Sequence, residues 1–207
     1  MKRKHRKTAL IAGIAALFVA PLIVYAIVYR STVRTNSFAP GNVEIQVKEN
    51  QEQSSELEKT LTLDPETHAV DKQVQIADTR TGDGEALRVF FVPIWTDANG
   101  DVCGSVFNFT APAMNAEETE LVYTDGDRSI TLKLHDDWKE NGWTYDADSG
   151  YFYYSGALLS GDLTPMLLER VVLNDAAYAL TEANSLQIDV LADAVQTSGN
   201  AKEDRNW

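Results

Sequence analysis

The sequence predicts an all-β protein, an antiparallel β-sandwich of jelly-roll type that is preceded by one N-terminal hydrophobic helix. Two observations indicate the sandwich: short runs alternate apolar and polar residues at period two, and turn-forming residues separate these runs. A third observation, an uncharged apolar run near the N-terminus, predicts the helix. Helical periodicity is scarce elsewhere, so about nine strands in two sheets are expected.

The N-terminal helix is predicted within residues 1–30. Met1–Lys7 is basic, and Thr8–Tyr29 is an uncharged run of 22 residues. As a helix this run spans about 33 Å, which is enough to cross a hydrocarbon core. Basic residues before the run and an acidic body after it place the N-terminus in the cytoplasm and the body outside. Residues 1–30 are therefore interpreted as a signal peptide or an N-terminal membrane anchor.

Cleavage of this segment has two open alternatives. Val24-Tyr25-Ala26 has small or medium apolar residues at the positions that a signal peptidase recognises, so the sequence is compatible with cleavage after Ala26. The apolar run is longer than the usual signal-peptide core, and its length favours an uncleaved anchor. The body is expected outside the cell or at the cell surface, and membrane-anchored if residues 1–30 are retained.

The body shows strand patterns from residue 43 onward. Val43, Ile45 and Val47 alternate with polar neighbours, whereas Leu87–Ile94 is apolar on both faces, as expected of a central strand. Asp146–Gly150 has the composition of a five-residue hairpin loop. The predicted strands cover 43–48, 73–77, 87–94, 102–109, 130–135, 143–145, 151–158, 166–173 and 186–195.

The segments between strands complete the division of the chain. Asp175–Asn184 favours a short helix that Asn174 or Asp175 caps. Glu49–Ala69 is predicted as a long connection that carries one edge strand around Leu61 and Leu63. The domains are accordingly 1–30, an extended N-terminal segment at 31–37, a β-sandwich domain at 38–196, and a polar C-terminal tail at 197–207.

The charge of the chain separates its N-terminus from its body. The 207 residues carry a formal charge of −13, but residues 1–30 contain six basic residues and no acidic one. The other 177 residues hold 12 basic and 31 acidic side chains, a net charge of −19. A body this acidic cannot neutralise a run of phosphates, so nucleic acid is excluded as a partner.

Catalytic motifs are lacking in the sequence. It contains three histidines, and no Gly-x-Ser-x-Gly elbow, His-Glu-x-x-His helix or Gly-rich phosphate loop occurs. His135-Asp136-Asp137 is interpreted as a strand end with solvated charges, because adjacent strand residues point to opposite faces. We predict a protein that is not an enzyme, with no catalytic, cofactor-binding or metal-ligating residue and no cofactor. Cys103, the single cysteine, is interpreted as a small buried residue.

Three acidic turns have two interpretations. Asp97–Asp101, Asp125–Asp127 and Asp146–Gly150 cluster oxygens of the kind that Ca²⁺ binds. Asn-Gly and Asp-Gly are also the strongest hairpin signals, because these residues accept positive φ. The first turn departs from an EF-hand loop, since its twelfth position is Asn108 and not Glu. Plain turns are therefore predicted, and calcium is the alternative.

Aromatic residues cluster late in the chain, and this cluster also has two interpretations. The rings could stack on sugar faces, or alternate rings could pack into the core of the sandwich. Packing is favoured because aromatic residues are enriched in strands. The cluster consists of Trp138, Trp143, Tyr145, Tyr151, Phe152, Tyr153 and Tyr154.

Several short segments follow one another in a recognisable order along the chain. Asn36-Ser37-Phe38 precedes the Gly41 turn and the strand at Val43, and Lys72–Asp78 is followed by Ala86-Leu87-Arg88-Val89. Later segments are Trp143–Tyr154, Ser160–Pro165, Leu168, Val171, Ile188–Val190, Ala194–Gln196 and Trp207. In this order they resemble the TasA/camelysin-like family of SipW-dependent exported proteins of Gram-positive bacteria, in its first segment after the signal, its next two strands and its C-terminal part.

The resemblance implies a non-enzymatic surface or extracellular matrix protein, a subunit or accessory of biofilm-type fibres. It also implies processing by a SipW-type signal peptidase and self-association or association with related fibre subunits. In such fibres an N-terminal segment adds as a strand to the next subunit, and here Ile27–Phe38 would be the donor. The alternative is a membrane-anchored extracellular β-sandwich module that binds a glycan or another surface ligand through its aromatic cluster.

Overall fold

Two antiparallel sheets pack as a sandwich in this computed structural model, which describes residues 45–50, 52–53, 60–79, 85–109 and 111–196. The strands are β1 Ile45–Glu49, β2 Glu52–Gln53, β3 Ala69–Asp78, β4 Glu85–Thr96, β5 Ala113–Met114, β6 Glu120–Asp125, β7 Arg128–Leu134, β8 Trp143–Tyr145, β9 Phe152–Leu158, β10 Leu168–Leu173 and β11 Ser185–Gln196. The prediction of a β-sandwich is confirmed.

The strands divide unequally between the sheets. One sheet has seven strands in the order β2-β1-β3-β10-β7-β6-β5, and the other has four in the order β11-β4-β9-β8. Chain neighbours pair in the hairpins β6–β7 and β8–β9, the second of which turns at the predicted loop Asp146–Gly150. Strands that are distant in sequence, such as β3 and β10 or β4 and β11, also pair within the sheets.

The longest ladder joins β4 to β11. Twelve residue pairs run without a register shift from Ser185↔Thr96 to Gln196↔Glu85. β4 also pairs with β9, so it is an interior strand of the sheet, as its two-faced apolar pattern predicted. Pro93 fits this position because the β9 pairing ends at Val89 and Pro93 has no N–H to contribute.

The core lies between the two sheets and is formed by the inward residue of each alternating pair. In β3 and β7 these are the apolar residues of the predicted alternation, and in β4 they are Leu87, Val89, Phe91 and Trp95. The residues of β3 and β7 are Val74, Ile76, Ile130, Leu132 and Leu134. Other fully buried large side chains are Leu121, Tyr123, Ile130, Leu132, Trp143, Phe152, Leu158, Leu167 and Leu168. Burial at this density stabilises each large side chain by about 1.5–3 kcal/mol relative to exposure.

Tyr123 connects the sheets through a hydrogen bond. It lies on β6, is fully buried, and its hydroxyl donates to the Phe91 carbonyl of β4 at 2.5 Å. The β9 ladder ends two residues earlier, at Val89, so this carbonyl projects past the end of its neighbouring strand. Burial raises the pKa of Tyr123 far above its ordinary value, which keeps the hydroxyl protonated as a donor.

Three predictions about elements need correction. The strand at Val102–Phe109 is wrong: Val102 makes one bridge to Thr96, and a turn follows at Gly104–Val106. The edge strand at Leu61 and Leu63 is also wrong, because residues 61–63 belong to no strand and make one backbone hydrogen bond, from Leu61 N to Leu186 O. β6 has no counterpart among the predicted strands, although Leu121 and Tyr123 alternate and the Asp125–Asp127 turn follows.

The predicted helix is present but divided. α1 spans Asp175–Tyr178, and a 3-10 helix follows at Ala179–Glu182. Asn174 is the N-cap, and its side chain accepts a hydrogen bond from Ala177 N. Cys103 is only partly buried, which corrects the prediction of a buried thiol, because it lies in a loop and not in a strand of the core.

The predictions for residues 1–30, 31–37 and 197–207, and for the start of the sandwich domain at 38–44, fall on residues outside the described part of the chain. Within the described residues, no helix has the length and apolarity needed to cross a membrane.

We expect Tyr123→Phe to lower the free energy of unfolding by about 1–3 kcal/mol, because the Phe91 carbonyl would remain buried without its donor. Urea denaturation followed by tryptophan fluorescence measures this change. The matched control is Tyr178→Phe, which removes a hydroxyl from a partly buried ring. A Tyr123→Phe variant as stable as the parent would contradict the assigned bond.

Candidate functional site

Five of the seven clustered aromatic side chains pack toward the core. Trp138, Trp143 and Phe152 are buried, and Tyr145 and Tyr154 pack against them. The Trp138 and Phe152 rings meet edge to face, with 5.5 Å between their centroids. These rings are therefore not available to stack on a sugar, in agreement with the interpretation that alternate rings pack into the core.

The other two rings, Tyr151 and Tyr153, lie on the opposite side of the four-stranded sheet. We call this surface the outer face. It is formed by the residues of β4, β9 and β11 that alternate with the core residues, together with Tyr151. Its residues are Arg88, Phe90, Val92, Ile94, Tyr151, Tyr153, Gln187, Asp189, Leu191 and Asp193.

Arg88 is the centre of the polar part of the outer face. Its Nη2 lies 3.0 Å from Asp193 Oδ2, directly across the β4–β11 ladder, and its guanidinium carbon lies 4.6 Å from the Tyr151 ring centroid. Partial burial lowers the pKa of Arg88, but the Asp193 carboxylate, together with Tyr151 and Tyr153, more than offsets this effect, so the pKa is raised. The carboxylate thus lies beside a cation that is placed over the Tyr151 ring.

The remainder of the outer face is apolar. Phe90, Val92, Ile94 and Leu191 point away from the core and do not belong to the core cluster, yet each is half-buried. The Phe90 and Tyr151 rings lie 5.4 Å apart. A sandwich sheet that faces water on its outer side normally carries polar residues there, so these four apolar residues distinguish the outer face from an ordinary solvated sheet surface.

Among the described residues, β11 and β8 are the two edge strands of the four-stranded sheet. Leu186 O accepts a hydrogen bond from Leu61 N, so the backbone groups of Leu186 point away from β4. Backbone direction alternates along a strand, so the same holds for every second residue, Ile188, Val190, Ala192 and Ala194. Trp95, which lies opposite Leu186 in the β4–β11 ladder, accepts a hydrogen bond from Cys103 N on the other side of β4. The backbone groups of both residues therefore point away from each other, as expected of a non-hydrogen-bonded pair in an antiparallel ladder. Among the described residues, Leu61 is the one that hydrogen-bonds to the edge of β11.

The three acidic segments are turns, as predicted. Asp97 Oδ1 accepts from Asn99 N and Asp101 N, and Asp146 accepts from Asp148 N and the Ser149 hydroxyl. Hydrogen bonds from the Asp101 and Asn99 amides lower the pKa of Asp97, and those from Ser149 and Asp148 lower the pKa of Asp146. These two carboxylates thus accept hydrogen bonds from residues of their own turns. No group of metal-ligating side chains is present among the described residues.

The histidines of the body lie apart. His135 follows β7, and Asp136 and Asp137 beside it are exposed, so this segment is a strand end with solvated charges. His68 has positive φ and stacks on Tyr178 with 3.8 Å between ring centroids, and its Nδ1 lies 3.3 Å from Asp175 Oδ1. No local pattern could have signalled this contact, because 110 residues separate His68 from Tyr178.

No family model, curated protein or solved structure matches this chain.

We expect Gly150→Ala to destabilise the protein through the outer face. Gly150 has a φ of +74°, and a Cβ there would lie 2.7 Å from Phe90 Cε2. The left-handed conformation costs an alanine about 1–2 kcal/mol, and displacement of the ring adds about 1–3 kcal/mol. Urea denaturation measures the sum.

Gly100→Ala is the matched control for this change. Gly100 has a φ of +82°, and no atom lies within 4 Å of the position that its Cβ would take, so its substitution reports the conformational cost alone. Equal losses of stability in the two variants would contradict the close approach of Gly150 to Phe90.

Proposed function

We propose that this chain is a non-enzymatic exported protein of the cell surface or extracellular matrix, a subunit or accessory of biofilm-type fibres that assembles by β-strand addition. The observation that carries the proposal is the edge of β11. This strand has 12 residues, and from Ile188 to Ala194 it turns alternate backbone groups outward. An extended segment of another subunit can satisfy those groups as an additional strand.

The proposal includes a jelly-roll topology for the sandwich. Its support is the strand order: the connections from β3 to β4, β7 to β8, β9 to β10 and β10 to β11 each pass from one sheet to the other. Crossing connections of this kind are typical of Greek-key and jelly-roll sandwiches.

The donor in this proposal is Ile27–Phe38, a segment outside the described residues. Its sequence supports the role, since Thr32, Val33 and Thr35 favour strands and few charges oppose pairing. The preceding apolar run takes the chain to the membrane, where a SipW-type peptidase releases it or where it stays as an anchor. The net charge of −19 in residues 31–207 opposes unspecific association of edges, so assembly depends on pairing of this strand.

We expect Ala192→Pro to abolish filaments while leaving the fold intact. The Ala192 amide points away from β4, so proline removes a donor from the free edge and none from the β4–β11 ladder. Electron microscopy of the exported protein measures assembly, and thermal unfolding measures the fold. Ala192→Ser retains the amide and is the matched control. Filaments of normal number and length from the proline variant would contradict edge addition at β11.

A second candidate is a membrane-anchored module that binds a surface glycan, and the observation that favours it is the outward position of Tyr151 and Tyr153 beside Arg88. On this alternative, Tyr153→Ala weakens glycan binding about tenfold or more, since ring stacking is lost, whereas Tyr153→Phe retains it. Calorimetric titration with cell-wall glycan measures the affinity. The absence of saturable heat with the parent protein rules this candidate out.

A further inference from the structure

We propose that a row of four side chains across the outer side of the four-stranded sheet binds a linear, uncharged polysaccharide whose chain runs perpendicular to the strands. The row contains one residue from each strand of this sheet: Asp193, Arg88, Tyr153 and Thr144. The proposal rests on the second candidate function above, for which it names the ligand class and the direction of the chain. It is independent of strand addition at β11.

The register of the sheet places these four residues in one line. Arg88 lies opposite Asp193 in the β4–β11 ladder and opposite Tyr153 in the β4–β9 ladder. Thr144 lies opposite Tyr153 in the β8–β9 ladder, so it extends the outer face to β8. Residues directly opposite each other on neighbouring strands share a face of the sheet. Three spacings between strands give the row a length of about 14 Å, which suits an extended ligand.

The row is accessible from the outer side of the sheet. Thr144 is exposed and Tyr153 is half-buried. The side chains of Arg88 and Asp193 keep 23% and 39% of their surface exposed. The Arg88 guanidinium lies over the Tyr151 ring, whereas the Tyr153 ring is tilted by 51° from the Tyr151 ring at a distance of 6.3 Å. Tyr153 is therefore the ring that we expect to stack against a sugar.

The charges of the row favour an uncharged ligand. Arg88 donates to Asp193 Oδ2 from Nε at 3.3 Å and from Nη2 at 3.0 Å, so the two charges compensate each other. The pair presents an acceptor beside a donor, and a sugar hydroxyl can bond to both kinds of group. The net charge of −19 in residues 31–207 opposes an anionic polysaccharide. A cationic one would have to displace Arg88 from Asp193.

Apolar residues border the row on one side and complete the match to a sugar. Two residues along from Asp193 and Arg88, Leu191 lies opposite Phe90 on the same face. The Phe90 ring lies 5.4 Å from the Tyr151 ring. Sugar rings combine apolar C–H faces with hydroxyl groups at their edges. Apolar and aromatic side chains beside a small number of polar groups are the usual lining of a site for such a ligand.

The test is calorimetric titration of the full chain, held in micelles of a detergent that has no sugar head group. The uncharged probes are cellohexaose, laminarihexaose and N-acetylchitohexaose, the anionic probe is hexagalacturonate, and the cationic probe is a chitosan hexamer. We expect saturable binding of at least one uncharged probe and of neither charged probe. Absence of binding by all three uncharged probes, or tighter binding of a charged one, would overturn the proposal.

Thr144→Val tests whether the ligand crosses the whole row. This change retains the shape of the side chain and removes one hydroxyl at the β8 end, so the affinity should fall about two- to tenfold. The matched control is Thr124→Val, at an exposed threonine of β6 in the other sheet, which should leave the affinity unchanged. If Tyr153→Ala abolishes binding and Thr144→Val has no effect, the second candidate function stands and the row is wrong.

Asp193→Asn tests whether the ion pair selects against charge. The variant leaves the Arg88 charge uncompensated, so we expect weaker binding of the uncharged probe and saturable binding of hexagalacturonate that the parent lacks. Asp136→Asn changes the total charge equally at an exposed residue after β7 and is the matched control. Thermal unfolding verifies that both variants are folded. An Asp193→Asn variant with the parent's preference among the probes would overturn the proposal. Filaments enter none of these measurements, so failure of the row and failure of edge addition are distinguishable.

Discussion

The twelve-pair ladder between β4 and β11 is the constraint on which the rest of the structure depends. It joins strands about 100 residues apart in the chain and has no register shift along its length. Because side chains alternate strictly across a sheet, this single register decides which apolar residues of β4 enter the core and which face outward. Phe91 and Trp95 go inward, where Tyr123 reaches Phe91 from the other sheet, whereas Phe90 and Val92 are left outside.

A strand that is apolar on both sides gives the small sheet two interfaces. One is the core, and the other is the outer face with its stripe of half-buried residues and its buried Asp189. The edge of β11 is a third feature of the same sheet, independent of its faces. The proposed assembly uses this edge, and a body with a net charge of −19 makes it dependent on specific pairing.

The aromatic cluster shows how far local pattern reaches. Alternation predicted that half of the rings would pack inward, and Trp143, Tyr145, Phe152 and Tyr154 do so. The pattern could not say that Arg88 would lie over Tyr151, because that contact joins strands that are distant in sequence. The strand predicted at Val102–Phe109 failed for the same reason: an apolar run without an adjacent strand to pair with becomes a loop, and its Phe107 is buried there without a ladder.

The sequence by itself determined the fold class, the positions of most strands and the turns that separate them. These are local properties: period-two alternation, glycine at positive φ, and side-chain capping by Asn174 act over a few residues. The tertiary structure alone decided the order of strands in the sheets, which strand is an edge and which face of β4 is covered. These depend on pairing between distant segments, whose register is selected by burial of the whole core and not by any one run of residues.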